Sequence, residues 1–154
     1  MRYWLRHETP DGIEHPDFFI TLCCRHRALN HLCRPERADS IIKIIQHFHE
    51  TKRWFCSIAL LMPDHLHAIV QIPDHRKFST VIGEFKQRTN QATGIIWQRG
   101  FFDHRIRHHS SLEEKWKYIE MNPVRAGYVS TPEDWPYRWM HTRTESFSFN
   151  PVHR

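Results

Sequence analysis

The spacing of apolar residues changes period several times along this chain, and each change marks an element. Residues 17–24 run through Phe18, Phe19, Ile20 and Leu22 with little polar interruption, which predicts a first strand. Further on, Ile41, Ile44, Ile45 and Phe48 recur three and four residues apart. That spacing predicts a helix over 35–53, with Pro35 in the first turn where its missing N–H costs nothing. Residues 54–61 are strand-like again, and Met62-Pro63-Asp64 forms a turn. The stretch 65–72 alternates cleanly and ends at Pro73-Asp74. A second helix is expected over 79–93, with Ser79 as N-cap, Val81, Ile82, Phe85 and Ala92 as its stripe, and Gly94 just past its end. Residues 101–107 read as a fourth strand. A third helix then starts at a capping box of Ser110 and Glu113 and should stop at Asn122, because Pro123 disfavours helical geometry in the residue before it. Trp135, Tyr137 and Trp139 are expected to pack back onto the body.

The order β-α-β-β-α-β predicts an α+β domain of the ferredoxin-like, split β-α-β kind. The expectation is an antiparallel four-stranded sheet with two helices on one face and an additional, tyrosine-bearing helix. The organisation read from the chain is an N-terminal arm over 1–16, one domain over 17–140 and a polar tail over 141–154.

Composition narrows the class. Hydrophobic residues make up 40% and aromatics 13%, which excludes a disordered chain. No apolar run is long enough to span a bilayer, and the N-terminus has no signal-peptide pattern, so a cytoplasmic protein is expected. The four cysteines form no CxxC pair and read as buried free thiols. A net charge of +5 attracts polyanions, of which nucleic acid is the commonest in a cell.

Two places could carry chemistry. In the strand at 65–72, Leu66, Ala68, Val70 and Ile72 share an apolar face, so His65 and His67 share the other. Their backbones lie roughly 6.5–7 Å apart, a spacing at which two imidazoles can converge on one cation. The same pattern suits two histidines on a solvated sheet face. On the third helix, Leu112, Trp116 and Ile119 form the packing stripe, and Tyr118 and Asn122 stack one turn apart on its flank. Lys115 lies one turn before Tyr118 and could favour a phenolate; a half-buried tyrosine with an ordinary helix-end asparagine fits as well.

Three motifs in order decide between these readings. They are Met62-Pro63-Asp64-His65-Leu66-His67, then Trp97-Gln98-Arg99-Gly100-Phe101-Phe102-Asp103-His104, and finally the run from Tyr118-Ile119-Glu120-Met121-Asn122 through Pro123-Val124-Arg125-Ala126-Gly127. With them the chain resembles the HUH single-tyrosine transposases and, more closely, the REP-associated tyrosine transposases, over about residues 17–139. The resemblance implies that His65 and His67 are metal ligands, that Asn122 is a third ligand and that Tyr118 is the nucleophile. The implied ion is Mg²⁺ or Mn²⁺. The implied substrate is single-stranded DNA bearing a palindromic-repeat hairpin, cleaved and rejoined through a covalent phosphotyrosine by a monomer or a homodimer. Arg2, Tyr3, Trp4 and Arg6 in the arm are candidates for holding DNA. Arg25, Arg27, Lys86, Arg88, Arg105 and Arg107 are candidate phosphate contacts, with Arg105 and Arg107 on one strand face. A non-catalytic regulator that binds palindromic elements is the alternative, and a metal-dependent RNA or phosphodiester hydrolase that turns over without a covalent adduct is a third.

Overall fold

The structure, a computed structural model, describes residues 16–141. Strand β1 (Asp17–Cys23) leads to helix α1 (Pro35–Glu50), followed by β2 (Phe55–Met62) and β3 (His65–Gln71). Helix α2 (Phe78–Thr93), strand β4 (Phe102–Ile106), helix α3 (His109–Arg125), a 3-10 turn (Pro132–Asp134) and strand β5 (Arg138–Met140) complete the order. The mixed α/β class is as expected. The sheet, however, has five strands rather than four, in the order β4-β1-β3-β2-β5, and all neighbours are antiparallel. The added strand comes from the aromatic C-terminal stretch. Trp139 pairs with Ala59, and the Trp135 indole N–H donates to the Leu61 carbonyl at 2.9 Å.

The sheet separates two packed layers. Phe18, Ile20 and Leu22 of β1 pair with Val70, Ala68 and Leu66 of β3, so these side chains share one face. Helices α1 and α2 cover it: Phe48 of α1 meets Phe85 of α2 at 5.8 Å, and Phe18 meets Phe78 at 4.7 Å. On the other face, Phe19 and Thr21 pair with Ile69 and His67, and α3 lies there. Its buried side is Leu112, Trp116, Ile119 and Pro123. β2 and β3 sit between other strands and are buried along almost their whole length, which explains why β2 is apolar at every position but Ser57.

Several boundaries differ from expectation. Lys77, not Ser79, precedes the first turn of α2, and Thr89 replaces Ala92 in its buried stripe because its hydroxyl is satisfied within the helix by Phe85 O. Gly94 closes α2 at φ +81°, a conformation that suits glycine. Helix α3 begins after His108 with no side-chain cap, so the Ser110–Glu113 box is not formed. It also continues through Pro123 to Arg125, one turn past the expected stop. The conformational penalty at Asn122 is modest, and burial of the proline ring beside Ile119 outweighs it. All four cysteines are buried and free, as expected. Among the described residues no helix is long and apolar enough to cross a membrane.

Phe85 is the centre of the helical layer, fully buried and in ring contact with Phe48, Trp54 and Trp97. Phe85→Ala should lower unfolding free energy by roughly 3–5 kcal/mol, read from denaturant titration; an unchanged midpoint would contradict this core assignment.

Candidate active site

The two-residue turn Pro63-Asp64 joins β2 to β3 and sets Met62 opposite His65. Alternation then brings His65 and His67 to the α3 face, with ring centroids 4.8 Å apart. Each Nδ1 already has a partner. The Asp64 carboxylate lies 2.8 Å from His65 Nδ1, and Thr21 Oγ1 lies 2.9 Å from His67 Nδ1. Both Nε2 atoms are thereby left to point away from those partners, the arrangement in which imidazoles ligate a metal. Two nitrogen donors with open positions around them fit a divalent cation. No cluster of three or more His, Cys, Asp or Glu suited to a metal occurs among the described residues, so a complete shell needs donors of other kinds.

Asp64 is a junction of several contacts. Its carboxylate also accepts from Arg27 Nε at 2.8 Å and from the Ala28 N–H at 2.7 Å, and its backbone carbonyl accepts from Cys24 N–H at 2.9 Å. Burial works to raise this carboxyl, but the hydrogen bonds from Arg27, His65 and Ala28 outweigh it and hold it well below the usual carboxylate range. His67 is 6% exposed, and its imidazole is pushed down to about 3, first by burial and then by the positive charges of His65 and Arg125. It is therefore a neutral base at physiological pH, the form a metal ligand requires.

Tyr118 reaches this pair from α3. Its ring centroid is 5.9 Å from that of His67 and 6.0 Å from that of Phe19, and the residue is 45% exposed. The Lys115 ammonium stands over the Phe19 ring at 5.2 Å, on the same side of the helix as Tyr118. Asn122 is half-buried one turn further along α3.

Arg125 escaped the sequence reading. Its guanidinium lies 4.3 Å from the Tyr118 ring centroid and donates to the Tyr118 carbonyl at 2.8 Å. Among the described residues it has no carboxylate partner. A seven-residue step is two helical turns, so its position was implicit in the pattern, but only if α3 runs past Pro123. Thr21 and Asp64 were missed as well. Asp64 could have been suspected from its place beside His65, whereas Thr21 becomes a neighbour only through the β1–β3 register.

The remaining candidates are dispersed. Arg27 is engaged by Asp64, and the Lys86 ammonium is turned to the Gln98 and Gly100 carbonyls. Burial lowers the pKa of Lys86 there. Arg88 lines a recess with Arg53, Glu84, Gln87 and Gln91. Arg25 is exposed at the end of β1. β4 ends at Ile106, so Arg107 lies beyond the strand, and pairing with Phe18 puts Arg105 on the sheet face opposite His67. Arg2, Tyr3, Trp4 and Arg6 lie outside the described residues.

The low His67 value has a measurable consequence. Unfolded histidine takes up a proton near 6.5 and the folded residue only near 3, so the unfolded state binds more protons in between. In chelator-treated protein, stability should fall as pH drops from about 6.5 towards 3, and His67→Gln should flatten that slope. Identical slopes in thermal unfolding of both proteins would refute it.

No family model matches the chain. A protein of Haemophilus influenzae described as a candidate REP-associated tyrosine transposase is 33% identical over 98 residues. A REP-associated tyrosine transposase of Escherichia coli is 34% identical over 85. Each match spans 53% of this chain, and they cover 56% and 52% of those two proteins, so the chain matches only about half the length of these curated relatives. In fold, the chain is similar to a REP-associated tyrosine transposase solved bound to a REP hairpin, with a TM-score of 0.70 and 26% identity over 90% of this chain and 82% of that one. A candidate transposase from Deinococcus radiodurans shares the fold alone, at a TM-score of 0.52 and 14% identity, covering 71% of this chain and 92% of that one. In sequence and in fold alike, the chain is similar to REP-associated tyrosine transposases.

Proposed function

We propose that this protein is a divalent-metal-dependent endonuclease and strand transferase that acts on hairpin-bearing single-stranded DNA through a phosphotyrosine at Tyr118. The observation that carries the reading is the ring of Tyr118 standing 5.9 Å from that of His67, with a partly exposed phenol beside a histidine pair whose Nδ1 atoms are both engaged. The names of the relatives, and the hairpin bound to the structural neighbour, support the same substrate class.

The chemistry follows from these groups. The Tyr118 hydroxyl gives up its proton, and its oxygen attacks the phosphorus of a phosphodiester. The bond from phosphorus to one deoxyribose oxygen breaks, and that oxygen takes a proton to become a free hydroxyl. The ester energy is kept in the phosphotyrosine, so a deoxyribose hydroxyl can attack in turn, restore a diester and release the tyrosine. Mg²⁺ or Mn²⁺ held by His65 and His67, with Asn122 as the third ligand, would polarise the phosphate and stabilise the leaving oxygen. Arg125 orients the Tyr118 ring and can also donate to a phosphate oxygen, a task suited to a guanidinium that meets no carboxylate among the described residues.

With Mg²⁺ or Mn²⁺, a hairpin oligonucleotide with single-stranded flanks should become covalently attached to the protein, and Tyr118→Phe should abolish the adduct. Hairpin binding with no adduct from the parent protein would instead identify a DNA-binding regulator, and turnover without an adduct a hydrolase. His67→Ala should weaken Mn²⁺ binding at least tenfold in calorimetry while hairpin affinity in chelator is kept. Arg125→Ala should slow adduct formation on the order of 100-fold, with Arg125→Lys recovering part of the loss. Equal rates would exclude Arg125 from the step.

A further inference from the structure

We propose that Phe102 is a stacking platform for one unpaired nucleobase, immediately beside the histidine pair. Thr21 is paired with His67 on one side and with Phe102 on the other, so the three side chains share a sheet face. At ordinary strand spacing the Phe102 backbone is roughly 10 Å from that of His67. The ring is 66% exposed, whereas Phe48 and Phe85 are fully buried. A lone exposed apolar residue is unremarkable in itself. This one stands on the face of Tyr118, His65 and His67, and the surrounding structure fixes it there.

The segment before β4 is fastened at several points. Cys24 and Trp97 form an isolated bridge, and Gln98 N–H donates to the Cys23 carbonyl at 2.8 Å. The Trp97 indole N–H donates to Thr89 Oγ1 at 2.8 Å, and the Lys86 ammonium binds the Gln98 and Gly100 carbonyls. Gly100, at φ +71°, makes the turn. Phe101 then packs on Phe78 at 5.3 Å, and strand alternation sends Phe102 to the opposite face. The ring is thus offered to solvent at a defined position, which limits the ordering needed to stack on it. The polyanion that such a base belongs to is matched by charge: Arg25, shortly after β1, and Arg99, shortly before β4, are exposed, and Lys115 stands over Phe19 on the same face. Asp103 projects to the other face by alternation, so it does not oppose a phosphate on this one.

The inference rests on single-stranded DNA being the ligand, and its test is therefore made on binding rather than cleavage. In the Tyr118→Phe background, hairpin oligonucleotides carry 2-aminopurine, or an abasic residue, at each flanking position in turn. One position should be quenched on binding, and the quench should vanish in Phe102→Ala and Phe102→Leu but persist in Phe102→Trp. Affinity should fall roughly 5- to 100-fold in Phe102→Ala, and removing that base should cost the parent a similar factor and the variant almost nothing. Circular dichroism and thermal unfolding should match the parent in all three variants. Tight binding by the parent with no Phe102-dependent position overturns the platform and leaves the proposed function standing. No hairpin binding by the parent overturns both. A dimer that Phe102→Ala converts to monomer, with DNA affinity intact, would assign the ring to a second copy and also overturn the proposal.

Discussion

Strand β3 is paired on both sides and packed on both faces, and its register fixes everything that follows. A slip of one residue would carry Leu66, Ala68 and Val70 to the α3 face and drive His65 and His67 beneath α1 and α2. Burying two imidazoles there without partners would cost several kcal/mol. The turn at Pro63-Asp64 locks the same register from one end. Its carboxylate ties β3 to the segment after β1, through Arg27 and Ala28, while it holds His65 by Nδ1. One side chain therefore secures both the strand's alignment and the orientation of a candidate ligand.

The face so defined is asymmetric in a way that suits phosphoryl chemistry. Its deep end is neutral, because burial keeps His67 unprotonated. Its rim is cationic, with Lys115 over Phe19 and Arg125 over Tyr118. A neutral base deep inside and positive charge at the mouth favour an anionic ligand without forfeiting the nitrogen lone pairs a cation needs.

How much of this was readable in the chain depended on the range of each interaction. Alternation at 65–72 set the two histidines against the apolar face, and the helical stripe of Leu112, Trp116 and Ile119 put Tyr118 at its edge. Both are local periodicities, and both survive in the structure. β5 has three residues, too few to alternate, and forms only because β2 offers an edge. Thr21 lies 46 residues from His67, and nothing local joins them. Arg125 was hidden for a different reason: a rule about the residue before proline stopped the helix too early, and tertiary burial of Pro123 overrode it.

The short fifth strand also matters for how the protein keeps to itself. It covers the outer edge of β2, the most apolar strand of the sheet, which would otherwise present bare amides and carbonyls to any extended chain. The opposite edge belongs to β4, whose outer side pairs with no strand among the described residues. There exposed Phe102 is followed by Asp103, His104 and Arg105, all exposed as well. Ionisable side chains on consecutive positions make a poor template for sheet growth, since an added strand would have to desolvate them on both faces. Among the described residues the sheet thus ends with its apolar strand β2 covered by three-residue β5 on one side and with ionisable side chains on the open strand β4 on the other, two arrangements that each discourage the addition of a further strand.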